Sequence, residues 1–331
     1  MEKKANKVPS FEKVNYLLRP RKQIERKIII EILQELKPIL NEFNNYVYLG
    51  MGSIYYYDYI LFHKFLNLEN LISIDDKITY KRFVFNKPYD FIKLENRKST
   101  DFLSDYEWKN NSIIWMDYDL KIFEIIEDFG ILSKSCKEND ILMFTIDAQV
   151  DDLSEEEEPL IFDDLKEYIS PSFKSRKYLT TQLYPYLIEN ICQNYFAECL
   201  LFEQIKFNKL FSFTYSDRAK MYTLGGLFSK TQNVPHLKSS FIRRNSDIID
   251  IDIPLVTYKE KFYLDSKISE IKSELDQLQK NIEECKIESG SDKEKIFVSK
   301  KLALEIELSL HDLKRYTEFY KYYPQYYEGL I

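Results

Sequence analysis

The chain has 331 residues, 44% of them hydrophobic and 15% aromatic, which excludes a disordered polypeptide and allows a packed core. A net charge of -7 and a pI near 5.3 argue against broad, sequence-independent nucleic-acid binding, because no basic surplus is present to release counterions. No segment approaches about 18 uninterrupted apolar residues, and MEKKANKVPSFEKV has charges with no apolar run behind it, so neither a spanning helix nor a signal peptide is expected, and a cytoplasmic protein is.

In residues 21 to 43, Ile24, Ile28, Ile32, Leu36 and Ile39 recur at spacings of three and four, predicting a leading helix that Pro38 bends or ends. The basic runs RPRK at 19 to 22 and FIRR at 241 to 244 read as solvated surface. YVYLGMGS at 46 to 53 is an apolar run closed by GxG, and YDYILFHKFLN at 57 to 67 has helical spacing, so strand, glycine turn and helix follow in order. NLISIDD at 70 to 76 completes β-α-β with two carboxylates at its tip. YDFIKLEN at 89 to 96, NSIIWMDYD at 111 to 119 and DILMFTIDAQV at 140 to 150 supply strands three to five, with a helix over 122 to 136 between the last two. Alternation at this spacing predicts an α/β fold with a parallel sheet, right-handed crossovers and ligands at the carboxyl ends of the strands.

The acidic loop DDLSEEEEP at 151 to 159 interrupts the pattern, helical spacing resumes over 178 to 205, and KLFSFTYS and MYTLGGLF at 209 to 216 and 221 to 228 predict an antiparallel hairpin. Over 266 to 310, Ile268, Ile271, Leu275, Leu278 and Ile282 repeat among Glu and Lys, and GSD at 290 to 292 allows a turn. This predicts a projecting, coiled-coil-like helical hairpin available for self-association or a protein partner. The aromatic tail at 316 to 327 is expected to dock rather than to be solvated. Three parts result: an N-terminal helical segment over 1–45, a Rossmann-like domain over 46–230 and a C-terminal extension over 231–331. The four cysteines form no CxxC pair and have no His at zinc spacing, so they read as reduced thiols.

The strand order, the GMGS turn, Asp75 after strand two, the acids after strand four and the closing hairpin together resemble the class I S-adenosylmethionine-dependent methyltransferases over roughly residues 40 to 228. Through GMGSIYYYDYILFHKFLN, RFVFNKP at 82 to 88, WMDYD at 115 to 119 and MYTLGG at 221 to 226 the chain looks like the bacterial family of putative O-methyltransferases. The resemblance implies a cofactor site at Gly50, Gly52, Ser53, Asp75 and Asp76. A Cβ at Gly50 or Gly52 is expected to occupy the space of the methionine and ribose parts, so that Gly52→Val would abolish binding and leave the fold intact. Asp75 would accept hydrogen bonds from the ribose hydroxyls, with Asp76 in reserve, although a helix N-cap accounts for either acid equally well.

Asp117, Asp119 and Asp147 are the implied catalytic carboxylates, and Asp117 with Asp147 would suit Mg²⁺ as in metal-dependent relatives; capping of loop ends is the plainer alternative. Tyr48 stands two before Gly50, where the pattern usually has an acid, so the methionine amino group lacks its usual partner. Arg82, Asn86 and Lys87 are expected near the cofactor edge, Tyr118 either stacks on a ligand or packs, and His63 reads as structural rather than as a base. GMGSIY lacks the third glycine of a dinucleotide fingerprint, and GxSxG, a Walker loop and HExxH are absent from the sequence. The function expected is methyl transfer from S-adenosylmethionine, and the competing expectation is a non-catalytic Rossmann scaffold in a bacterial antiviral defence or toxin assembly.

Overall fold

In the computed structural model the apolar runs form one eight-stranded sheet: β1 (Val47–Met51), β2 (Leu71–Ile74), β3 (Ile92–Glu95), β4 (Ser112–Asp117), β5 (Ile141–Asp147), β6 (Lys206–Ser216), β7 (Lys220–Ser229) and β8 (Ile249–Asp250). The spatial order is β3-β2-β1-β4-β5-β7-β6-β8. The structure describes residues 19–76, 78–151, 153–154, 157–201, 204–230, 236–242, 247–284, 306 and 308–324. The chain divides into two compact units, residues 1–251 and 252–331.

Strands β1 to β5 are parallel, and β7 pairs antiparallel with both β5 and β6. β4 and β5 are apolar runs because both faces are covered; Ile113, Ile114, Met116, Leu142, Met143 and Phe144 have no exposure. Helix α1 (Pro20–Leu36) precedes the sheet, and the helices that follow between strands are α2 (Tyr57–Leu66), α3 (Tyr80–Phe85), α4 (Ser99–Asp105), α5 (Ile126–Ser135) and α6 (Tyr184–Cys199). This is the Rossmann-like arrangement with a terminal antiparallel hairpin. The bulky aromatic core on one face joins Phe129, Phe144 and Phe196, with Phe129 and Phe144 ring centroids 4.0 Å apart. Burial of such rings contributes about 1.5–3 kcal/mol each before the entropy of ordering them is counted.

Helix α1 ends at Leu36, two residues before Pro38, and Ile39 is exposed rather than on the helical stripe. The larger correction concerns its basic start. Lys22 is completely buried, and so is Glu25, with Arg26 almost so; RPRK is therefore not solvated surface. Arg243 and Arg244 of the second basic run lie outside the described residues.

The second unit contains α7 (Tyr258–Ser266), α8 (Ile268–Glu283) and α9 (Leu310–Phe319). Thr257 and Glu260 form a capping box at the start of α7. The seam of α8 buries Ile271 and Leu278, and α9 buries Leu313, Tyr316 and Phe319. The expected returning arm of the hairpin, residues 285 to 305, lies outside the described residues. Tyr316, from the aromatic tail, donates to the Lys261 carbonyl at 3.1 Å and to Asp265 Oδ1 at 2.7 Å, and its ring lies 5.0 Å from that of Tyr323. Among the described residues no helix is long and apolar enough to cross a membrane.

Candidate functional site

The strand order reverses between β1 and β4, so their following loops diverge and leave a crevice at the carboxyl ends. A cavity of about 370 Å³ occupies it, within the size range of small-ligand sites. Its walls come from Met51–Ser53 after β1, Asp75 and Asp76 after β2, Arg97–Thr100 before and within α4, Asp117–Leu120 after β4, and Arg26 of α1 with Tyr57, Asp58 and Tyr59 of α2. Among the described residues, eight carboxylates and three cations line it. Gly52, Ser53, Asp75, Asp76, Asp117 and Asp119 are thereby brought to one cavity, whereas Gly50 and Asp147 are not on its lining.

Packing alone already requires glycine at both positions. A Cβ on Gly52 would lie 2.2 Å from Ser73 Oγ and 2.8 Å from Phe83, and one on Gly50 would lie 2.6 Å from the Tyr48 hydroxyl. The space a side chain would need is therefore filled by protein, which overturns the expectation that Gly52→Val would obstruct a ligand and spare the fold. Tyr48 itself is buried, stacked on Phe62 with centroids 4.0 Å apart and edge-on to Tyr59. Burial, and then Asp58 and Tyr59, push its hydroxyl well above the usual tyrosine range, so it stays neutral. The turn after Gly52 closes at Tyr56, whose φ of 48° is uncommon for a side-chain-bearing residue. Its hydroxyl donates to the Phe83 carbonyl at 2.8 Å and its ring stacks on Phe83, which pins that conformation.

Asp75 is half-buried, and its Oδ1 accepts the Ile78 N–H at 2.9 Å while its backbone carbonyl accepts from Asn96 Nδ2 at 2.6 Å. The turn is thus tied on both sides, with the carboxylate on the cavity wall. Asp76 is exposed beside it. On the opposite wall Tyr118 is buried and donates to Asp128, which also accepts from Ser99 Oγ at 2.7 Å and Thr100 Oγ1 at 2.6 Å. Three hydroxyls on one buried carboxylate fix the start of α4 against the loop after β4.

Asp117 is gripped from below by α1. Lys22 Nζ lies 2.9 Å from Asp117 Oδ1 and 2.9 Å from Glu25 Oε2, and 4.7 Å from the Trp115 ring centroid. Thr223 donates to Glu25, Thr223 and Thr145 hydroxyls are 2.9 Å apart, and Trp115 Nε1 donates to Thr145 at 3.1 Å. Burial would raise Asp117, but Lys22, Arg26 and Arg19 outweigh it and hold its carboxyl below the ordinary value. For Glu25 burial dominates and the shift is upward. Asp147 is buried 3.1 Å from Lys121 Nζ and accepts the Gln149 N–H at 2.9 Å.

These contacts do not fit the expected Mg²⁺ pair. An ammonium already faces each of Asp117 and Asp147, and among the described residues no group of three or more His, Cys, Asp and Glu could hold a metal. Asp119 is exposed on the lining. His63 is structural: Nδ1 is 3.1 Å from the Leu68 carbonyl, and its ring lies against Tyr89 and Phe91. Arg82, Asn86 and Lys87 are not on the cavity lining; Asn86 Nδ2 donates to the Arg82 carbonyl at 2.8 Å and Lys87 Nζ to the Asp90 carbonyl at 3.0 Å. Reading the sequence missed Lys22, Glu25 and Arg26, because α1 also carries Arg21, Lys27, Glu31 and Glu35 and no local signal marks the three charges that are buried.

A family model described as "Putative O-methyltransferase" matches residues 14–331. No curated protein matches the chain. Similar solved structures include a putative sarcosine dimethylglycine methyltransferase from Galdieria sulphuraria, at 13% identity and TM-score 0.37, over 65% of this chain and 86% of that one. Spermidine synthase from Thermotoga maritima is similar at 9% identity and TM-score 0.36, over 62% of this chain and 60% of that one. An O-methyltransferase of tomaymycin synthesis from Streptomyces achromogenes, in complex with SAM, is similar at 12% identity and TM-score 0.34, over 65% and 90% of the respective chains.

Proposed function

Matched over residues 14–331, the chain belongs to the putative O-methyltransferase family, and we propose that its cavity binds S-adenosylmethionine for methyl transfer to a hydroxyl-bearing acceptor. The observation that carries this reading is the acidity of the cavity, eight carboxylates against three cations among the described residues, at the point where the strand order reverses. Such a lining attracts a cationic sulfonium and repels the phosphates of a dinucleotide. When bound, the cofactor supplies a methyl group already activated by the sulfonium.

The residues of the chain hold and orient. Asp75 accepts from the ribose hydroxyls through the carboxylate that its turn presents, with Asp76 adjacent. The backbone of Gly52 and Ser53 forms the floor, and the buried Tyr118 ring with Ile125 forms an apolar wall for the base. Asp117, kept ionised by Lys22, adds fixed negative charge below the site. Asp119 is one of the exposed lining carboxylates, and we assign it the acceptor's proton. Asp147, off the lining and held by Lys121, has a structural part in this scheme.

Calorimetry tests the reading directly: S-adenosylmethionine should bind and NAD should not, and absence of heat with the former, or binding of the latter, contradicts it. Asp75→Ala should weaken S-adenosylmethionine by about 1–3 kcal/mol, the cost of leaving hydroxyls without a charged acceptor. A lowered melting temperature with unchanged affinity would instead assign Asp75 to the Ile78 turn alone.

A further inference from the structure

Tyr48 is a buried neutral ring, so no carboxylate stands two before Gly50 to take an amino group. The cavity nevertheless has a buried pair of opposite charges in its wall. Arg26 of α1 is 2% exposed, its Nε donates to Asp58 Oδ1, and Asp58, on the first turn of α2, is 8% exposed. Both residues line the same cavity as Gly52 and Ser53. Tyr57 lines it too, with the Arg26 guanidinium 5.7 Å from its ring centroid, so the cation is braced on an aromatic face as well as on a carboxylate.

Taking a guanidinium and a carboxylate out of water is costly, and a buried pair of this kind is weak evidence of a purely stabilising role. Its geometry has a chemical complement. A planar guanidinium has donors on more than one edge, and a carboxylate accepts in several directions, so each partner can hold the other and a ligand group of opposite charge. An α-amino acid presents the two required charges on one carbon, an ammonium for Asp58 and a carboxylate for Arg26.

We propose that Arg26 and Asp58 form the subsite that reads the zwitterionic amino-acid end of the cofactor, in place of the acid absent at Tyr48. This rests on the S-adenosylmethionine reading above. It makes α1 part of the binding site: the leading helix delivers Arg26 on the same turns that bury Lys22 and Glu25. It also makes the site selective, because an adenosine ligand without both charges leaves one member of the pair facing the cavity without its complement.

The test starts with the unaltered protein and four ligands compared by calorimetry: S-adenosylhomocysteine, its decarboxylated and deaminated analogues, and 5′-methylthioadenosine, which lacks the amino-acid end. Removing either charge should weaken binding about tenfold or more, the scale of one charge-assisted hydrogen bond. Arg26→Gln should weaken S-adenosylhomocysteine while leaving the decarboxylated analogue nearly as in the wild type. Asp58→Asn should do the same with respect to the deaminated analogue, and both variants should bind 5′-methylthioadenosine unchanged. Equal affinity of all four ligands for the unaltered protein overturns the subsite and leaves the adenosyl reading standing. Variants that lose 5′-methylthioadenosine as fully as S-adenosylhomocysteine also overturn it, since the pair then serves the fold. Failure of the unaltered protein to bind any of the four defeats the cofactor reading and the subsite together.

Discussion

Lys22→Met is expected to destabilise the first unit by about 3–5 kcal/mol, the usual consequence of deleting one partner of a buried ion network. Methionine fills much of the lysine stem's volume, so the loss isolates the charge. Glu25, completely buried, and Asp117 would face each other across the space left by the ammonium that now lies 2.9 Å from both. Chemical denaturation of the variant measures the effect. The triple variant Lys22→Met, Glu25→Gln, Asp117→Asn should recover much of the loss, because the uncompensated charges are gone. A single variant as stable as the wild type would show that the network contributes nothing net.

Gly52→Val should be the most damaging change at the glycine turn, costing at least the roughly 1–3 kcal/mol of an overpacked core and abolishing ligand binding. Its Cβ would be placed 2.2 Å from Ser73 Oγ on β2 and 2.8 Å from Phe83 on α3. Phe83 also stacks on Tyr56 and offers its carbonyl to that residue's hydroxyl, so displacement would spread into the turn. Thermal melting beside calorimetry separates the two effects. A stable Gly52→Val protein that still binds would contradict the packing account of the turn.

The strands could be read because each is a local apolar run, and parallel strands covered on both faces need little else to announce them. α3 and α4 were not read; at six and seven residues they are too short for helical periodicity to register. β8 has two residues and depends on pairing with Phe213 and Thr214, a contact that no local pattern encodes. The apolar stripe of α1 was legible from Ile24, Ile28, Ile32 and Leu36, but its charged face was not. Lys22 meets Asp117 across 95 positions, Arg26 meets Asp58 across 32, and Glu25 meets Thr223 across 198. Without those partners a basic run reads as solvated, since a buried lysine is costly unless paired.

Similar reasoning separates the site residues. Asp75, Asp76, Asp117 and Asp119 were identifiable because they follow strands whose carboxyl ends must converge. Asp147 also ends a strand, but β5 lies one place further from the strand-order reversal and the Asp147 carboxylate meets Lys121. The crowding around the two glycines was not legible, because their neighbours, Tyr48, Ser73 and Phe83, are brought there by packing across the sheet and not by the turn's own sequence.

This cavity should hold the adenosyl cofactor. A crystal structure of the protein with S-adenosylhomocysteine tests it most directly. The account predicts ligand density between the Gly52–Ser53 backbone and the loop after β4, with the ribose hydroxyls on Asp75 and the amino-acid end on Arg26 and Asp58. Density at another location, or an empty cavity at a saturating ligand concentration, would contradict it.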